Sequence, residues 1–259
     1  MKKHSICTSP NMHCYPNLEN VSAVQCFISL NVTKFFCEAN ERCATYGKTM
    51  NRISNLVGRN YNSVIKYFPN KSFWTRINQM NFRQLQNSTK YWIDGFSKPY
   101  LMNTLESDLH MDGSEYNGKH IAYYDHLDNT LLPTLSNRTD AIDVICEVEQ
   151  NNNNNTTIRD NNKNHNHFIH IKQFQKCLNV SNEELFSPGK CFDGCYSQIT
   201  MLNVQQCAYR CAEDENCLRF YYNHLKNTCI LTQYIISLIP SYYQNMKQEW
   251  DCYSLHNHK

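Results

Sequence analysis

Two segments before residue 70 show the apolar spacing of α-helices. Within residues 36–46, Ala39 and Cys43 are four positions apart on one helical face, and Gly47 stands where a glycine commonly ends a helix. A second set of apolar residues recurs at helical intervals and stops before a proline at position 69, namely Val57, Tyr61, Val64, Ile65 and Phe68. The pattern predicts helices over 36–46 and 57–68.

After residue 70 the helical spacing gives way to short aromatic segments that turn residues interrupt. Four segments have the composition of β-strands: residues 72–77, 90–93, 119–124 and 142–148. Cys43 lies on the first predicted helix and Cys146 on the last of these strands. A bridge between them would close a loop of about a hundred residues, which the chain-entropy model values at roughly 4–5 kcal/mol.

The most specific pattern in the chain begins at Asn203. Asn203 followed by Gln206 is typical of a helix N-terminus, because the asparagine side chain can cap the first turn. A helix over residues 204–213 would place Cys207 and Cys211 on one face, since they are four positions apart.

A β-hairpin is predicted directly after this helix. Residues 218–223 and 229–231 have strand composition, and they flank a turn at residues 226–227. Cys217 and Cys229 lie at the two strands. The spacings therefore predict a helix that two disulfides join to a hairpin.

Zinc is the alternative interpretation of these cysteines. Cys191 with Cys195, and Cys207 with Cys211, both have three residues between them, which is a spacing that zinc sites use. The oxidising context and the even cysteine count favour disulfides instead.

Composition excludes two classes of protein. The 259 residues carry 25 basic and 23 acidic side chains, so nothing indicates nucleic acid or an anionic membrane as the main partner. The longest apolar stretch, residues 230–239, is too short for a membrane span and is interrupted by polar residues. We expect no membrane insertion.

Fourteen cysteines indicate an oxidising compartment, and asparagine sequons agree with that. Candidate N-glycosylation sites of the form Asn-x-Ser/Thr begin at Asn20, Asn31, Asn70, Asn87, Asn137, Asn154, Asn155 and Asn179. Met1, Lys2 and Lys3 resemble the basic start of a signal peptide, but no apolar stretch follows them before Cys7. We expect a secreted, extracellular protein whose signal peptide is not visible in this sequence.

An asparagine-rich stretch divides the chain. Residues 150–173 contain nine asparagines and too few apolar residues to offset the entropy of ordering, so we expect a flexible linker. It also contains three histidines, at positions 165, 167 and 170. We interpret them as part of a solvated linker and not as a metal site, because the asparagine-rich segment has no residues that would orient them as metal ligands. Six cysteines precede the linker and eight follow it, so each half can close its own bridges.

Residues 14–149 resemble the C-type lectin-like domain. The resemblance rests on four groups of residues: Phe36, Ala39, Cys43 and Gly47; Phe73-Trp74-Thr75-Arg76-Ile77; Trp92-Ile93-Asp94-Gly95; and Ile145-Cys146-Glu147. Cys14 and Cys26 are similar in spacing to the additional N-terminal bridge of the long form of that family. The resemblance implies a fold of two helices, antiparallel sheets and long loops.

The first half departs from the calcium-dependent sugar site of that family. The family's Glu-Pro-Asn or Gln-Pro-Asp triplet and its Trp-Asn-Asp are both missing, and no cysteine lies between Cys43 and Cys146 for the inner bridge. Calcium requires six to eight oxygen ligands. Four carboxylates in the corresponding region are weak calcium candidates: Glu106, Asp108, Asp112 and Glu115. We expect a solvated acidic loop and no cofactor, with a rearranged calcium site as the alternative.

Cys7 and Cys37 have no counterpart in the lectin-like pattern. We expect them to pair with each other and to hold the N-terminal arm at the start of the first helix. The alternative is that one of them forms a bridge to another chain.

Residues 174–254 resemble a PAN/apple domain, with the string Cys207 to Leu231 as the most specific part. The resemblance implies one helix packed on an antiparallel sheet, and it implies three disulfides: Cys207–Cys229, Cys211–Cys217 and Cys177–Cys252. Cys191 falls where some apple domains have an additional cysteine, and Cys195 departs from the family pattern. The simplest expectation is that Cys191 and Cys195 close a small loop.

These observations predict an α+β protein of two disulfide-stapled domains. The expected divisions are a lectin-like domain at 1–149 with an N-terminal hairpin, the linker at 150–173 and a PAN/apple domain at 174–259. No Gly-x-Ser-x-Gly and no His-Glu-x-x-His motif is present, and paired carboxylates such as Glu183-Glu184 lie in polar segments, so we do not expect an enzyme.

The expected function is secreted, non-enzymatic recognition of an extracellular protein or glycan ligand. The long loops at about 103–140 of the lectin-like half would form one binding surface, and the apple half would offer a second. A flexible linker would let the two act together through effective concentration. The alternatives are a calcium-dependent lectin with rearranged ligands and a structural component of a matrix or coat.

Overall fold

The structure is a computed structural model of the 259-residue chain. It describes residues 12–16, 24–50, 52–78, 93–94, 121–134, 137–148, 172–177, 185–186, 194–239, 243 and 250–255. Within these ranges strands outnumber helices, and the mixed α+β class that the sequence predicts is confirmed.

The described residues of the first half form two helices and eight strands. The helices are α1 (Phe36–Thr49) and α2 (Tyr61–Tyr67). The strands are β1 (Met12–Pro16), β2 (Val24–Phe35), β3 (Ser54–Leu56), β4 (Phe73–Asn78), β5 (Ile93–Asp94), β6 (Ile121–Asp125), β7 (Thr130–Thr134) and β8 (Asn137–Val148).

These strands form one sheet in the order β1-β2-β8-β4-β6-β7, with β3 paired to β8 and β5 paired to β4. Because β2 precedes α1 and β8 closes the segment, the pairing of β2 with β8 brings the beginning and the end of this half together. All pairings are antiparallel except the contact of β4 with β8 at Phe73 and Asp143.

The core of the first half is aromatic. Trp74 is fully buried, its ring meets Phe36 edge-on at 5.9 Å, and its indole N–H donates to the carbonyl oxygen of Thr33 at 3.1 Å. A second buried cluster contains Phe73 and Tyr124, whose ring centroids are 5.0 Å apart. Successive residues of β4 thus belong to different clusters, because side chains along a strand point alternately to the two faces of the sheet.

Two boundaries differ from the sequence prediction. Helix α1 continues to Thr49, so Gly47 lies inside it and does not end it. The second helix begins at Tyr61 and not at Val57, because the backbone of Val57 is engaged by two strands: its N–H donates to Ile145 and its carbonyl accepts from Arg76. Periodicity alone does not show that Val57 is needed by the sheet.

In the part of the second half that the structure describes, there are one helix and five strands. They are α3 (Val204–Glu213), β9 (Phe174–Lys176), β10 (Tyr196–Thr200), β11 (Cys217–Asn223), β12 (Thr228–Gln233) and β13 (Trp250–Leu255). The strands form an antiparallel sheet in the order β10-β12-β11-β13-β9.

Alternation along β11 explains how this sheet is covered on both faces. Phe220 and Tyr222 belong to the buried cluster that contains the two cysteines of α3, whereas Tyr221, between them, belongs to a cluster with Ile230 and Trp250. Helix α3 therefore packs on one face of the sheet, and the other face buries a separate apolar cluster.

Candidate functional site

The helix of the second half is fixed to the hairpin by two disulfides. Cys207 is joined to Cys229 on β12, and Cys211 is joined to Cys217 at the start of β11. All four cysteines are fully buried. The helix begins as predicted, because the Asn203 side-chain oxygen accepts a hydrogen bond from the backbone N–H of Gln206 at 2.9 Å.

The two ends of the second half are also joined. Cys177, directly after β9, forms a disulfide with Cys252 on β13, and its backbone N–H donates to the carbonyl of Cys252 at 2.8 Å. These three bridges are the pairs that the apple resemblance implies.

Lys172, at the end of the predicted linker of residues 150–173, binds the turn that follows α3 and is therefore part of the folded second half. The Lys172 ammonium donates to three backbone carbonyls, those of Asp214 at 2.6 Å, Glu215 at 3.1 Å and Cys217 at 3.0 Å. Burial lowers the pKa of Lys172, and the nearby carboxylates of Asp214 and Glu215 act in the opposite direction. The lysine thus holds the turn between α3 and β11 through its backbone carbonyls.

Asp251 on β13 anchors a polar group beside the turn of the hairpin. Lys176 lies 2.6 Å from one of its oxygens, and the Nε2 of His224 lies 2.9 Å from the other. Partial burial alone would raise the pKa of Asp251, but the hydrogen bonds from Lys176 and His224 outweigh burial and lower this pKa. The contacts tie the hairpin turn to the last strand.

A disulfide joins the two halves of the chain. Cys37, in the first turn of α1, is bonded to Cys195, which directly precedes β10, and their Cα atoms are 5.4 Å apart. The bridge spans 158 positions of sequence.

Apolar packing surrounds this bridge. Cys195 and Ile235 are 3 % and 0 % exposed, and both belong to the buried cluster that otherwise consists of first-half residues such as Phe36 and Trp74. An ion pair of Lys48 with Glu215 at 3.6 Å adds little, because both side chains are exposed. We call Cys37, Cys195, Tyr234 and Ile235 the junction.

The junction includes a strained turn. Tyr234 has a φ of 65°, and the N–H of Ile235 donates to the carbonyl of Gln233 at 2.7 Å, which makes a γ-turn. A bulky residue in this region of φ is costly and persists only where the surroundings hold it. Burial, with smaller contributions from the carboxylates of Glu41 and Asp214, raises the pKa of Tyr234 to about 12. Since Glu41 lies on α1, the first half takes part in this environment.

Two predicted cysteine pairs are therefore wrong. Cys37 is bonded to Cys195, so it is not paired with Cys7, and Cys195 is not paired with Cys191. The physical reason is that α1 packs against the segment before β10, which places the two sulfur atoms together. Cys7 and Cys191 lie outside the described residues.

The first half contains a bridge of its own between α1 and the last strand. Cys43 is joined to Cys146 with a Cα separation of 5.4 Å, and both are fully buried. Cys26 is disulfide-bonded, and the backbone of β1 sets Cys14 opposite it in the strand register.

The predicted ligand-binding and modification residues are only partly described. Asn31 and Asn70 are exposed, as a glycosylation acceptor must be, and Asn137 begins β8. The other sequons and the acidic candidates lie outside the described residues: Asn20, Asn87, Asn154, Asn155, Asn179, Glu106, Asp108, Asp112 and Glu115. The histidines of the predicted linker lie outside them as well.

A serine, a histidine and an aspartate meet at one end of β6. The Ser72 hydroxyl oxygen lies 2.9 Å from Nδ1 of His126 and 3.2 Å from a carboxylate oxygen of Asp125. In a catalytic triad the carboxylate holds the imidazole, whereas here it faces the serine. The same serine oxygen accepts the backbone N–H of His126 at 3.1 Å, so the group holds a turn in place.

The described part of the chain has neither a metal-binding cluster nor a membrane-spanning helix. No group of three or more His, Cys, Asp or Glu side chains there is arranged to hold a metal ion. Within the same residues, none of the helices has the length and apolarity needed to cross a membrane.

The part of the second half that contains the helix and the hairpin matches a known protein family. Residues 183–257 match the PAN domain. The PAN domain of this chain thus comprises α3 and most of the five-stranded sheet, while β9 lies just before the matched residues. Among curated proteins, none matches the chain. Many disulfides together with a PAN domain are typical of extracellular proteins.

Sequence reasoning missed the junction. An even number of cysteines on each side of the asparagine-rich stretch is compatible with separate domains, but it is equally compatible with an even number of bridges between them. The available signal was Cys195, because it has no counterpart in the apple pattern, just as Cys37 has none in the lectin-like pattern.

Proposed function

We propose that this chain is a secreted, non-enzymatic recognition protein that binds an extracellular protein or glycan ligand. The observation that carries the proposal is the PAN domain at residues 183–257, since domains of this family commonly mediate protein or carbohydrate binding. Its buried disulfides give the rigid framework on which a binding surface depends.

The proposal for the first half is that it acts as a lectin-like module. Three observations support it. Residues 14–149 resemble the C-type lectin-like domain, α1 follows β2 in the chain and β2 pairs with the later strand β8, and a disulfide joins Cys43 of α1 to Cys146 of β8. We propose that its loops at about 103–140 take part in binding without calcium, because the family's calcium-binding triplets are missing from the sequence.

The junction gives this proposal a specific form. Because Cys37 and Cys195 join the halves, the two binding modules act from fixed positions, and a ligand that contacts both avoids the entropy cost of ordering a linker. The predicted tether at 150–173 is then not what sets the distance between them.

A glycan array probed with the full disulfide-bonded chain, with calcium and with EDTA, tests the proposal. We expect the same glycans to bind in both buffers, or no glycan to bind in either. If no glycan binds, an array of extracellular proteins is probed with two samples: the native full chain, and the same chain after heat denaturation and reduction. Proteins that bind only the native chain are specific ligands, whereas binding of both samples indicates adsorption.

Two outcomes would contradict the proposal. Glycan binding that EDTA abolishes would show a calcium site in the first half. A native chain that binds neither glycans nor extracellular proteins above the denatured control would argue against recognition and for a structural role.

A further inference from the structure

Two hairpins, one in each half, repeat the same sequence. Residues 123–134 read YYDHLDNTLLPT and residues 221–232 read YYNHLKNTCILT, so seven of the twelve aligned residues are identical. The first segment forms the hairpin of β6 and β7, and the second forms the hairpin of β11 and β12. The second hairpin belongs to the PAN domain, whereas the first lies outside the matched residues.

The strand registers of the two hairpins are equivalent. Asp125 pairs with Thr130 across the first hairpin, and Asn223 pairs with Thr228 across the second. Each register leaves a four-residue tip: residues 126–129, the first tip, and residues 224–227, the second tip.

The same hydrogen bonds hold both tips. The backbone N–H of the tip leucine donates to the side-chain oxygen of Asp125 at 3.0 Å in the first tip, and to that of Asn223 at 3.0 Å in the second. Both tips end on an asparagine in the left-handed region, with φ of 53° at Asn129 and 50° at Asn227.

A buried tyrosine completes each tip. Tyr124 donates to the side-chain oxygen of Asn129 at 2.6 Å, and Tyr222 donates to that of Asn227 at 3.1 Å. The tip histidines are also engaged, one with Ser72 and the other with Asp251. The repeated polar residues thus hold the turn.

The repeated leucines do not take part in holding the turn. Leu127 is 81 % exposed and Leu225 is 77 % exposed, although each stands on a backbone that its neighbours fix. A single exposed leucine needs no explanation. The same leucine held out at the same position of two rigid tips, within halves of different topology, points to contact with another molecule.

The main chemical difference within the tips is charge. The third tip position is Asp128 in the first tip and Lys226 in the second, and both side chains are exposed. Contact between two first tips or two second tips would oppose like charges, whereas contact of a first tip with a second tip would oppose aspartate and lysine. One molecule carries one tip of each kind, so two copies can make both unlike contacts at once.

We propose that two copies of this chain associate through these tips, the first tip of each copy meeting the second tip of the other. Leu127 packs against Leu225 of the other copy, and Asp128 faces Lys226. Because two short tips bury much less area than the ~1,600 Å² of a standard interface, we expect a weak association that is populated only at high protein concentration.

Sedimentation velocity of the full, disulfide-bonded chain over a range of concentrations tests the proposal. We expect a monomer–dimer equilibrium that each of Asp128→Lys and Lys226→Asp weakens by about tenfold or more. The double variant with both charges exchanged should regain the affinity of the native chain, because the unlike pairing is restored. Leu127→Ser and Leu225→Ser should each weaken the dimer.

Controls separate this result from a change in fold or in net charge. Lys66→Asp makes the same charge change as Lys226→Asp at an exposed position of α2, and we expect no effect on association. Near-ultraviolet circular dichroism should be unchanged in every variant, since the substituted side chains are exposed. A native chain that stays monomeric at all concentrations, or a dimer that ignores the charge reversals, would overturn the proposal.

Discussion

Gly47 shows how a single missing side chain brings two elements together. It lies buried in α1, and a Cβ atom there would come within 2.6 Å of the carbonyl oxygen of Arg52 and 2.8 Å of the Cβ of Ser54. The glycine therefore allows the segment that leads into β3 to pass directly against the helix.

Gly47→Ala should destabilise the fold by roughly 1–3 kcal/mol, because the methyl group would meet backbone atoms that have no room to move. Thr45→Ala, at an exposed position of the same helix, is the control and should leave the stability unchanged or slightly increased. Urea unfolding of the two variants measures the difference. Equal midpoints would show that the helix and β3 can separate without cost.

Sequence reasoning placed Gly47 on the correct helix but gave it the wrong role. A glycine near the end of a helical pattern predicts a C-terminal stop, since that is its commonest use. The helical pattern does not show that the backbone of Arg52, five residues later, passes directly against Gly47.

Among the elements, the segment before β9 is fastened to the turn after α3 by one side chain. The Lys172 ammonium donates hydrogen bonds to three backbone carbonyls of that turn. These hydrogen bonds hold the segment in place at a point where it is not paired with another strand.

Lys172→Met should destabilise the second half by about 1–3 kcal/mol, because the partly buried carbonyls of Asp214 and Cys217 would each lose a hydrogen bond from a charged donor while the apolar part of the side chain is kept. Lys176→Met is the matched control on the same segment. Its ammonium is largely exposed in the pair with Asp251, so its loss should cost no more than about 1 kcal/mol. Guanidinium unfolding followed by circular dichroism compares them. An equal loss in both variants would mean that the carbonyl contacts contribute nothing.

The elements themselves were largely predictable from the sequence. The cap at Asn203, the spacing of Cys207 and Cys211 and the hairpin after them are local signals, and the structure contains all three. By contrast, the residue pattern predicted no strand at β2, which with β8 is the longest of the described strands of the first half. Only the lectin-like resemblance implied a hairpin near its start. Its residues pair with both β1 and β8, and such long-range pairing leaves little periodicity in the sequence.

For the whole molecule, the junction decides how the halves behave. Their shared apolar cluster includes Ile235, which is fully buried against first-half residues. We therefore expect the native chain to unfold in a single calorimetric transition, since neither half can lose its structure without exposing this cluster.

Ile235→Asp should separate that transition into two, because a carboxylate cannot remain in the cluster without a partner. Ile53→Asp introduces the same charge at a position that is 57 % exposed and should leave one transition. Differential scanning calorimetry of both variants under non-reducing conditions distinguishes these results. Two transitions in the native chain would show that the halves are independent despite the bridge.

The disulfides of the candidate site show which long-range contacts the sequence could predict and which it could not. Three bridges of the second half follow from family resemblance. The bridge between Cys37 and Cys195 instead depends on the packing of two segments that no local pattern relates to each other. Residue spacing predicts contacts within one element or between neighbouring elements. It does not predict that a helix packs against a segment 158 positions later in the chain.

The bridge from Cys37 to Cys195 also constrains how the chain is made. During synthesis Cys37 leaves the ribosome long before Cys195, and the loop that their bond closes contains the complete Cys43–Cys146 pair and one member of the Cys177–Cys252 pair. A ribosome that has produced only the first half therefore displays a helix whose first-turn thiol has no correct partner yet. Maturation must keep that thiol from premature oxidation until Cys195, near the beginning of the PAN domain, has emerged. Production of this protein should therefore depend on disulfide isomerase more than its separate halves would suggest.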